Sequence, residues 1–340
     1  MHSELLGLLA DPIAKSPLQL EGNVLRGLES RFWPIVDGIP RFAGPDDADQ
    51  RQTELSFAAK WKRRSSYESP AMREQAARWL CGRYGFDAPS SLRGHLAASG
   101  AVLDAGCGSG FSASTWLTPG WAEKGSVWVG VDISAAVDIA RERLGSIEHT
   151  HFVQADVLAL PFRDETFDAI FSEGVLHHTP STERALRALV AVLRRGGELL
   201  FYVYRQKAPV REFTDDYVRA IVSELDPDDA WEALRPLTRL GQALAELRVE
   251  VDVPDDVPLL GIRAGRHDVQ RLIYWHFAKL FWNEKLSLEE NNHVQFDWYH
   301  PRYAHRHTEE EVRGWCGATG LEITHFDVQA SGLTVRAVRS

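Results

Sequence analysis

Three aspartates follow three apolar runs of the sequence, and their spacing places them at the ends of successive strands. Asp104 ends the run AVLD, Asp132 ends VWVGVD, and Asp156 follows HFVQA. Because parallel strands end at the same edge of a sheet, we expect the three carboxylates to face one ligand. A carboxylate accepts hydrogen bonds and attracts cations, so such a ligand offers hydroxyl, amino or cationic groups.

The glycines after Asp104 indicate how closely this ligand approaches the backbone. Gly106, Gly108 and Gly110 alternate with other residues in DAGCGSGF, where a Cβ would block both a sharp turn and the approach of a ligand. Dinucleotide-binding loops hold a pyrophosphate with G-x-G-x-x-G, but Phe111 stands at the position of the last glycine. The Asp104 carboxylate also repels a pyrophosphate and attracts an ammonium or sulfonium group. We therefore predict a cationic ligand.

The other two carboxylates suit an adenosine. Asp132 is placed to accept hydrogen bonds from both hydroxyls of a ribose, as acidic residues at this position do for adenosine cofactors. Asp156 is an acceptor for an exocyclic amino group, and Val157 is an apolar neighbour for a purine. Ile133, next to Asp132, belongs to the same candidate set. An adenosine with a positively charged tail accounts for all these groups.

Two histidines and a tyrosine are the candidates for proton removal. His177 and His178 follow the fourth apolar run, and an imidazole with a near-neutral pKa suits a general base. If the reaction needs a base, the order of preference is His178, His177 and Tyr299. The alternative is that the two histidines only shape the wall and mouth of a pocket.

The stretch 291–308, NNHVQFDWYHPRYAHRHT, concentrates polar and aromatic side chains. It predicts a wall that orients an anionic or hydroxylated substrate by charge-assisted hydrogen bonds. An alternative is a metal bound by His305, His307 and Asp297, but no cysteine or glutamate accompanies them at a dedicated spacing, so we predict no metal. The predicted substrate-binding residues are Tyr299, Arg302, Tyr303 and His305.

The elements that position these residues alternate from about residue 96 onwards. Apolar runs rich in β-branched and aromatic residues are separated by helical patterns such as RALRALVAVLRR, at 184–195. This alternation predicts an α/β fold with a mostly parallel sheet and helices on both faces. Later stretches at 211–225, 229–247 and 267–282 are amphipathic at helical spacing and predict a helical lid.

The predicted organisation has five parts. They are a small β module at 1–44, a polar linker and helical cover at 45–95, an α/β core at 96–207, a helical lid and substrate insertion at 208–306, and a helix from Thr308 with a terminal pair of strands at 307–340. Within the cover, the segment SFAAKWKRR is expected to fold over the ligand, with its basic residues on a solvated face.

Five ordered motifs resemble a known family. VLDAGCGSG, VGVDIS, ADVLALPF, FDAIFSEGVLHHT and VLRRGGELLFYVY are similar to those of class I S-adenosylmethionine-dependent methyltransferases, especially the subgroup with the ubiquinone and menaquinone C-methyltransferases. The resemblance covers about 75–205 and the C-terminal segment. It implies a Rossmann-like, seven-stranded sheet whose last strand is antiparallel, and S-adenosylmethionine as cofactor with S-adenosylhomocysteine as product. It also implies that the segment from Ser172 and Glu173 to His178 lines the sulfonium and the substrate entrance.

Residues 1–44 show a second resemblance, to small zinc-ribbon domains that activate translation-factor and tRNA methyltransferases. Those domains have two Cys-x-x-Cys pairs, whereas Asp11 and Ala14 occupy the first pair here and Gly27 and Ser30 stand near the second. Zinc needs thiolate or imidazole ligands, so we predict that the metal is lost. What remains is interpreted as a packing or dimerisation module, compatible with a homodimer and held by Trp33, Ile35, Ile39 and Phe42.

Composition restricts the partners. The chain has 340 residues and a formal net charge of −10, which is a poor electrostatic match for nucleic acid. Cys81, Cys107 and Cys316 are odd in number and far apart, which argues against a disulfide framework and fits a reducing compartment. No stretch approaches the length of a membrane span. We therefore expect a soluble, cytoplasmic protein without nucleic-acid or membrane partners.

These observations together predict methyl transfer to a small-molecule acceptor in an enclosed pocket, with an oxygen, carbon, nitrogen or sulfur nucleophile. One alternative is an RNA or protein methyltransferase, which would need a basic, open cleft. Another is a non-catalytic protein that binds S-adenosylmethionine and recruits a partner through its N-terminal module.

Overall fold

The structure, a computed structural model, describes residues 2–28, 30–42, 44, 47–63, 68–122 and 125–340. Its first elements form the small β module that the N-terminal sequence predicts. They are α1 (Ser3–Leu8), β1 (Gln19–Glu21), β2 (Val24–Arg26), β3 (Phe32–Val36) and β4 (Ile39–Pro40), and the four strands form an antiparallel sheet in chain order.

This small sheet shares a hydrophobic core with the rest of the chain. Leu9 and Leu25 are fully buried in the same cluster as Phe162, and the amide of Phe42 donates a 2.9 Å hydrogen bond to the carbonyl of Gln154. The module therefore packs against the large sheet and shares its hydrophobic core. The residues predicted to hold it are buried within this chain, which favours packing over dimerisation; they are Trp33, Ile35, Ile39 and Phe42.

An ion pair lies where the zinc-ribbon resemblance places metal ligands. Oδ1 of Asp11 accepts hydrogen bonds from the amides of Ile13 and Ala14 at 2.9 and 3.0 Å. Nη2 of Arg31 lies 3.2 Å from Oδ2 of the same carboxylate, and a Cβ on Gly27 would come within 2.6 Å of that oxygen. The Asp11 carboxylate and the ring of Trp33 thus pack against Gly27.

Strands and helices then alternate as predicted. The elements are α2 (Ala48–Lys62), α3 (Pro70–Arg83), α4 (Pro89–Ala97), β5 (Ala101–Ala105), β6 (Val127–Asp132), α5 (Ala136–Leu144), β7 (Thr150–Gln154), β8 (Phe167–Glu173), α6 (Thr182–Val192) and β9 (Leu193–Tyr204). Every residue of β5 and β6 is buried, as expected for strands covered on both faces of a sheet.

The helix predicted over 184–195 ends earlier than expected. Its last residue is Val192, and Arg194 and Arg195 already belong to β9. The pairing of β9 with β8 changes register in this stretch, where Gly196 has a φ of +74°. A bulge at the exposed start of the strand accommodates the two arginines without burying them.

A helical insertion follows β9. It contains α7 (Pro209–Val222), α8 (Pro227–Glu246), β10 (Glu250–Val253), β11 (Gly265–Asp268), α9 (Val269–His276) and α10 (Leu288–Tyr299), with β10 and β11 paired to each other. The helix predicted over 267–282 is shorter, because the Asp268 side chain caps α9 and the chain leaves the helix at Phe277. The sequence pattern does not predict α10, since most of its residues are buried and it lacks a polar face.

The C-terminal elements complete the large sheet. They are α11 (Glu309–Ala318), which begins with a capping box between Thr308 and Glu311, β12 (Leu321–Val328) and β13 (Gly332–Arg339). The strand order is β12-β13-β9-β8-β5-β6-β7, with β5 to β9 parallel and β13 antiparallel to β9. The predicted seven-stranded, mostly parallel sheet is confirmed. Among the described helices, none has both the length and the apolar character needed to cross a membrane.

Candidate active site

Most of the predicted ligand-binding residues surround a cavity at the carboxyl ends of β5 to β8. β5 lies between β6 and β8, so the strand order reverses there, and open α/β sheets bind ligands at such a point. We call this the glycine-loop cavity. Its lining includes, from the predicted set, Gly106, Gly108, Asp132, Ile133, Asp156, Val157, Glu173 and His178.

The glycines after β5 are needed for different structural reasons. Gly106 and Gly108 line the cavity with φ values of +82° and +52°, and a Cβ on Gly106 would lie 2.3 Å from Cγ2 of Val175. Gly110 also has a positive φ, but its Cβ would meet Leu144 of α5 at 2.7 Å. Gly110 therefore permits the close packing of the loop on α5 and does not contact the cavity.

Asp132 connects the glycine loop to the end of β6. Its Oδ2 accepts a 2.8 Å hydrogen bond from the amide of Gly108, and its Oδ1 accepts bonds from the amide and the hydroxyl of Ser134 at 2.8 and 2.6 Å. Burial raises the pKa of Asp132, and these donors oppose the rise. The carboxylate is thereby held in one orientation at the cavity surface.

Asp104 is buried beside the cavity and does not line it. Its carboxyl group is 2% exposed, and its Oδ2 has no hydrogen-bond partner among the described residues. Burial, together with the nearby Asp132 carboxylate, raises the pKa of Asp104 to about 8. A buried acid in this state gains from a cation bound nearby, so Asp104 fits the positively charged tail that the sequence predicts.

The side of the cavity formed by β7 has the polarity expected for an adenine site. Oδ1 of Asp156 accepts a 2.8 Å hydrogen bond from the amide of Leu158, and burial raises the pKa of Asp156. Val157 and Ile133 contribute apolar surface beside it. The donor and acceptor set at the strand ends, the glycine cradle and the unpartnered Asp104 oxygen together fit an adenosine with a cationic tail.

Helix α2 forms the opposite wall of the cavity. It includes 56–62 of the segment SFAAKWKRR, and the last residue of that segment, Arg64, lies outside the described residues. Sequence reasoning missed the first two turns of this wall, because nothing local distinguishes them from a solvated helix. Lys60 is 7% exposed and its Nζ lies 2.6 Å from Oδ1 of Asp297, so the interpretation of its charge as part of a solvated face is wrong. The lining residues from α2 are Gln50, Thr53, Glu54, Phe57, Lys60 and Trp61.

The end of β8 contributes a fixed carboxylate. The hydroxyl of Tyr84 donates a 2.8 Å hydrogen bond to Oε2 of Glu173, and the guanidinium of Arg83 forms an ion pair with Oε1. That guanidinium lies 3.7 Å from the ring centre of Trp79.

Ser172, also predicted to bind the cofactor, is fully buried. Its hydroxyl donates a 3.0 Å hydrogen bond to the carbonyl of Ala105. Its role is to join β8 to β5.

The two histidines after β8 have different surroundings. His178 lines the cavity, and its Nδ1 lies 2.6 Å from the carbonyl oxygen of Tyr303. A carbonyl only accepts, so Nδ1 carries the proton and Nε2 is the acceptor. Burial lowers the pKa of His178 to about 4, so the ring is neutral at pH 7. His177 is fully buried against Tyr204, with ring centres 3.8 Å apart, and does not line the cavity.

Residues 103–201, which run from β5 into β9, match the family model described as a methyltransferase domain. By this match, residues 103–201 form a methyltransferase domain. A tRNA (carboxymethyluridine(34)-5-O)-methyltransferase of Xenopus tropicalis is 29% identical over 223 residues, which are 63% of this chain and 31% of that protein. Methyltransferase GfsG of Streptomyces halstedii is 32% identical over 131 residues, 37% of this chain and 44% of the relative.

The chain thus spans less than half the length of either relative. Among solved structures, magnesium protoporphyrin IX methyltransferase from Synechocystis PCC 6803 with bound S-adenosylhomocysteine is 16% identical. That match has a TM-score of 0.44 and covers 86% of this chain and 98% of the other.

None of the four predicted substrate-binding residues lines the glycine-loop cavity. The hydroxyl of Tyr299 donates to Oδ1 of Asp215 at 2.8 Å and accepts from the amide of Lys279 at 3.1 Å. The guanidinium of Arg302 forms an ion pair with Glu224. Both side chains therefore connect the end of α10 to its neighbours.

Tyr303 and His305 have similar structural contacts. The hydroxyl of Tyr303 lies 3.1 Å from Oδ1 of Asp47, and Nε2 of His305 lies 3.1 Å from the carbonyl oxygen of Thr179. Tyr303 thus connects the segment after α10 to the start of α2, and His305 connects it to the turn after β8. Local sequence could not show this, because the partners are more than a hundred residues away.

The alternative metal site is not assembled. Asp297 is bonded to Lys60, and Nε2 of His307 lies 2.8 Å from the hydroxyl of Thr182. In the described part of the chain, no three His, Cys, Asp or Glu side chains are grouped so that they could hold a metal ion.

Two further cavities continue from the methyltransferase domain towards the helical insertion. The junction cavity, of about 140 Å³, shares Glu173 and His178 with the glycine-loop cavity. The aromatic cavity, of about 240 Å³, shares Tyr202, Tyr204 and Asp297 with the junction cavity. The three cavities therefore follow one another from the strand ends to the surface of α9 and α10.

Proposed function

We propose that this protein transfers the methyl group of S-adenosylmethionine to a small-molecule acceptor. The observation that carries the proposal is the convergence of Asp132, Asp156 and the glycine loop on one cavity of a methyltransferase domain. Asp132 would hold the ribose hydroxyls, and Asp156 with Val157 the adenine. Glu173 would face the cationic part of the cofactor, and Asp104 would attract it from its buried position beside the cavity.

When bound, S-adenosylmethionine supplies a methyl group on a sulfonium, so that the acceptor's electron pair takes the methyl carbon and the carbon–sulfur bond breaks towards sulfur. The chain's own work is to position the acceptor and to exclude water. Phe57 and Trp61 of α2 provide apolar cover for this purpose. The glycine-loop cavity lies between these side chains of α2 and the strand ends that carry Asp132 and Asp156.

His178 is the proposed proton acceptor where the acceptor molecule loses a proton. Its Nε2 atom carries the lone pair that accepts the proton, and the Asp297 carboxylate favours the imidazolium that forms. An imidazole with a pKa of about 4 is a weak base, which suits a proton that becomes acidic only as the methyl bond forms. His177 and Tyr299 are not proposed for this step, because neither lines the cavities.

The acidic balance of the chain and the route through covered cavities support a small acceptor over a nucleic acid. The similarity to a tRNA methyltransferase makes transfer to RNA the main alternative. A cytoplasmic location, a homodimer, and membership of the ubiquinone and menaquinone subgroup with a zinc-ribbon-derived N-terminal module belong to the same proposal.

Calorimetric titration with S-adenosylmethionine and S-adenosylhomocysteine tests the cofactor, and we expect both to bind in the micromolar range. Methyl-labelled S-adenosylmethionine is then incubated with the protein and either a small-metabolite extract or a total tRNA fraction. Label that appears in small molecules supports the proposal. Label in nuclease-sensitive polymer would replace it with RNA methylation, and failure to bind either cofactor form would refute the cofactor assignment.

A further inference from the structure

The aromatic cavity carries an excess of positive charge in an otherwise acidic chain. Lys207, Arg211 and Lys279 line it, against Asp297 as the acidic residue of its described lining. Asp297 is already paired with a lysine of α2, and Arg211 binds Asp215 through Nε at 2.8 Å. The two lysines therefore account for the excess, although the formal net charge of the chain is −10.

The two lysines have only neutral hydrogen-bond acceptors. Nζ of Lys207 donates to the carbonyls of Ala330 and Ser331, both at 2.7 Å. Nζ of Lys279 donates to the carbonyl of Val294 at 3.2 Å. Among the described residues, no carboxylate oxygen lies within 4.0 Å of either ammonium group. Each retains a donor for a ligand, because an ammonium group has three.

Burial makes this arrangement unfavourable for the protein alone. Burial lowers the pKa of Lys207 and of Lys279 to about 7. Arg211 acts in the same direction on both lysines, while Glu212 opposes the shift at Lys207 and Asp297 opposes it at Lys279. A buried ammonium without a counter-ion costs stability, whereas an anion bound beside it would offset that cost. Binding sites often keep such locally unfavourable groups because they act on the ligand.

The rest of the cavity is aromatic. Nζ of Lys279 lies 4.3 Å and Nζ of Lys207 lies 5.6 Å from the ring centre of Trp298, so both cations lie near one indole. Other rings complete the walls of a space of about 240 Å³, which suits a flat apolar body. These are Trp79, Tyr274, Trp275 and Phe281.

We propose that the aromatic cavity binds the methyl acceptor, and that the acceptor is a small organic anion with a flat apolar body whose anionic group lies between Lys207 and Lys279. The proposal rests on the methyl transfer proposed above. Neither lysine lines the glycine-loop cavity, so the anionic group is a binding handle. The nucleophile is another atom of the same molecule, which reaches His178 through the junction cavity.

A matched pair of probes tests the charge requirement. We would titrate the protein, saturated with S-adenosylhomocysteine, with 1-hydroxy-2-naphthoate and with 1-hydroxy-2-naphthamide, which differ in charge and little in shape. The expected result is at least tenfold tighter binding of the carboxylate. Equal affinities, or no binding of either probe, would overturn the proposal.

Variants show whether the two lysines are responsible. Lys207→Met and Lys279→Met keep much of the apolar stem, and each should reduce the preference for the carboxylate to threefold or less, whereas Lys279→Arg should largely keep it. Lys285→Met is the matched control, since Lys285 is exposed and lies outside the cavity. A preference that survives both Met substitutions would contradict the assignment. Affinity for S-adenosylhomocysteine should stay unchanged in all four variants. If the wild-type protein did not bind S-adenosylhomocysteine, the proposed cofactor would be refuted instead.

Discussion

Nζ of Lys60 lies 2.6 Å from Oδ1 of Asp297, and this ion pair connects α2 to α10 where the junction cavity begins. Burial disfavours the Asp297 carboxylate, but Lys60 and His178 outweigh it and hold its pKa at about 2. The folded pKa lies below the unfolded value, so the pair contributes stability above pH 4 that is lost as the pH falls from about 4 to 2. Both side chains are largely shielded from water, which strengthens the pair.

We therefore expect Asp297→Asn to lower the free energy of unfolding by about 2 kcal/mol at pH 7, because the buried ammonium group of Lys60 loses this ion pair. Urea unfolding between pH 2 and 7 measures this, and the difference from wild type should shrink below pH 4. Asp252→Asn is a control, because that residue is exposed. A difference that is constant across the whole pH range would contradict the ion-pair interpretation.

Asp132→Asn should weaken binding of S-adenosylhomocysteine about tenfold to a hundredfold. The expected loss is that of hydrogen bonds to a charged acceptor, about 1.5–3 kcal/mol. Ser134→Ala is the control, because it removes the 2.6 Å hydroxyl bond to Oδ1 and keeps the carboxylate; it should cost threefold or less. Calorimetric titration gives both values, and unchanged affinity in Asp132→Asn would refute the ribose assignment.

Cofactor binding should release a proton from Asp104. The pKa of this buried acid is raised to about 8, so it is mostly protonated at pH 7, and a cation bound nearby favours its ionisation. Titration of S-adenosylmethionine at pH 7 in buffers of different ionisation enthalpy should show close to one proton released, falling above pH 8. Asp104→Asn should release none. An identical buffer dependence in the variant would show that the proton comes from another group.

The same shift has a consequence for stability without ligand. Because the folded pKa of Asp104 lies above its unfolded value, its contribution is complete below about pH 4 and is lost as the pH rises towards 8. Asp104→Asn should therefore lose less stability than wild type between pH 4 and 8. Thermal unfolding across this range tests the point, and parallel curves for the two proteins would contradict it.

Helix α2 should become slower to exchange its amide hydrogens when S-adenosylhomocysteine binds. Phe57 and Trp61 lie on its cavity face, so a bound cofactor adds contacts along the helix. Hydrogen exchange of 48–62 with and without ligand measures the effect, and α8, which does not line the glycine-loop cavity, is the internal control. Equal exchange of α2 in both states would argue against its role as a cover.

Local sequence was sufficient for the parts of the site that follow directly from strands. Asp132 and Asp156 end apolar runs, and a strand end in a parallel sheet has one possible location relative to its neighbours. It was also sufficient for the sheet itself, because strands buried on both faces have continuous apolar sequences.

The features that local sequence did not predict depend on contacts between distant segments. The cationic residues of the aromatic cavity include Lys207, which follows β9, and Lys279, which follows α9, and no regular spacing relates these positions. Tyr299 was expected to face substrate because it lies in a polar aromatic stretch, yet α10 is buried on most sides and the Tyr299 hydroxyl bonds to Asp215 and to the amide of Lys279. Hydrophobic periodicity is uninformative for such a helix. The Ser287 and Glu290 capping box was the local signal that marked its start.

Substitution of His178 should change turnover, whereas substitution of Tyr299 should change stability. This difference distinguishes a residue that takes part in the reaction from one that only supports the structure. His178→Gln removes the proposed base and should lower kcat about a hundredfold or more, with affinity for S-adenosylhomocysteine within threefold of wild type. Tyr299→Phe removes the hydroxyl that bonds to Asp215 and to the amide of Lys279. It should lower the free energy of unfolding by about 1–3 kcal/mol, because the partners are buried, and leave kcat within threefold.

Methyl transfer to an identified acceptor and urea unfolding of the same preparations provide both quantities. A pH profile of kcat for wild type adds a criterion that a structural role would not meet, because the neutral His178 ring should support activity down to about pH 5 and lose it near pH 4. If Tyr299→Phe abolished turnover at wild-type stability, the tyrosine would have to be returned to the reaction. If His178→Gln turned over normally, alignment and exclusion of water alone would account for catalysis.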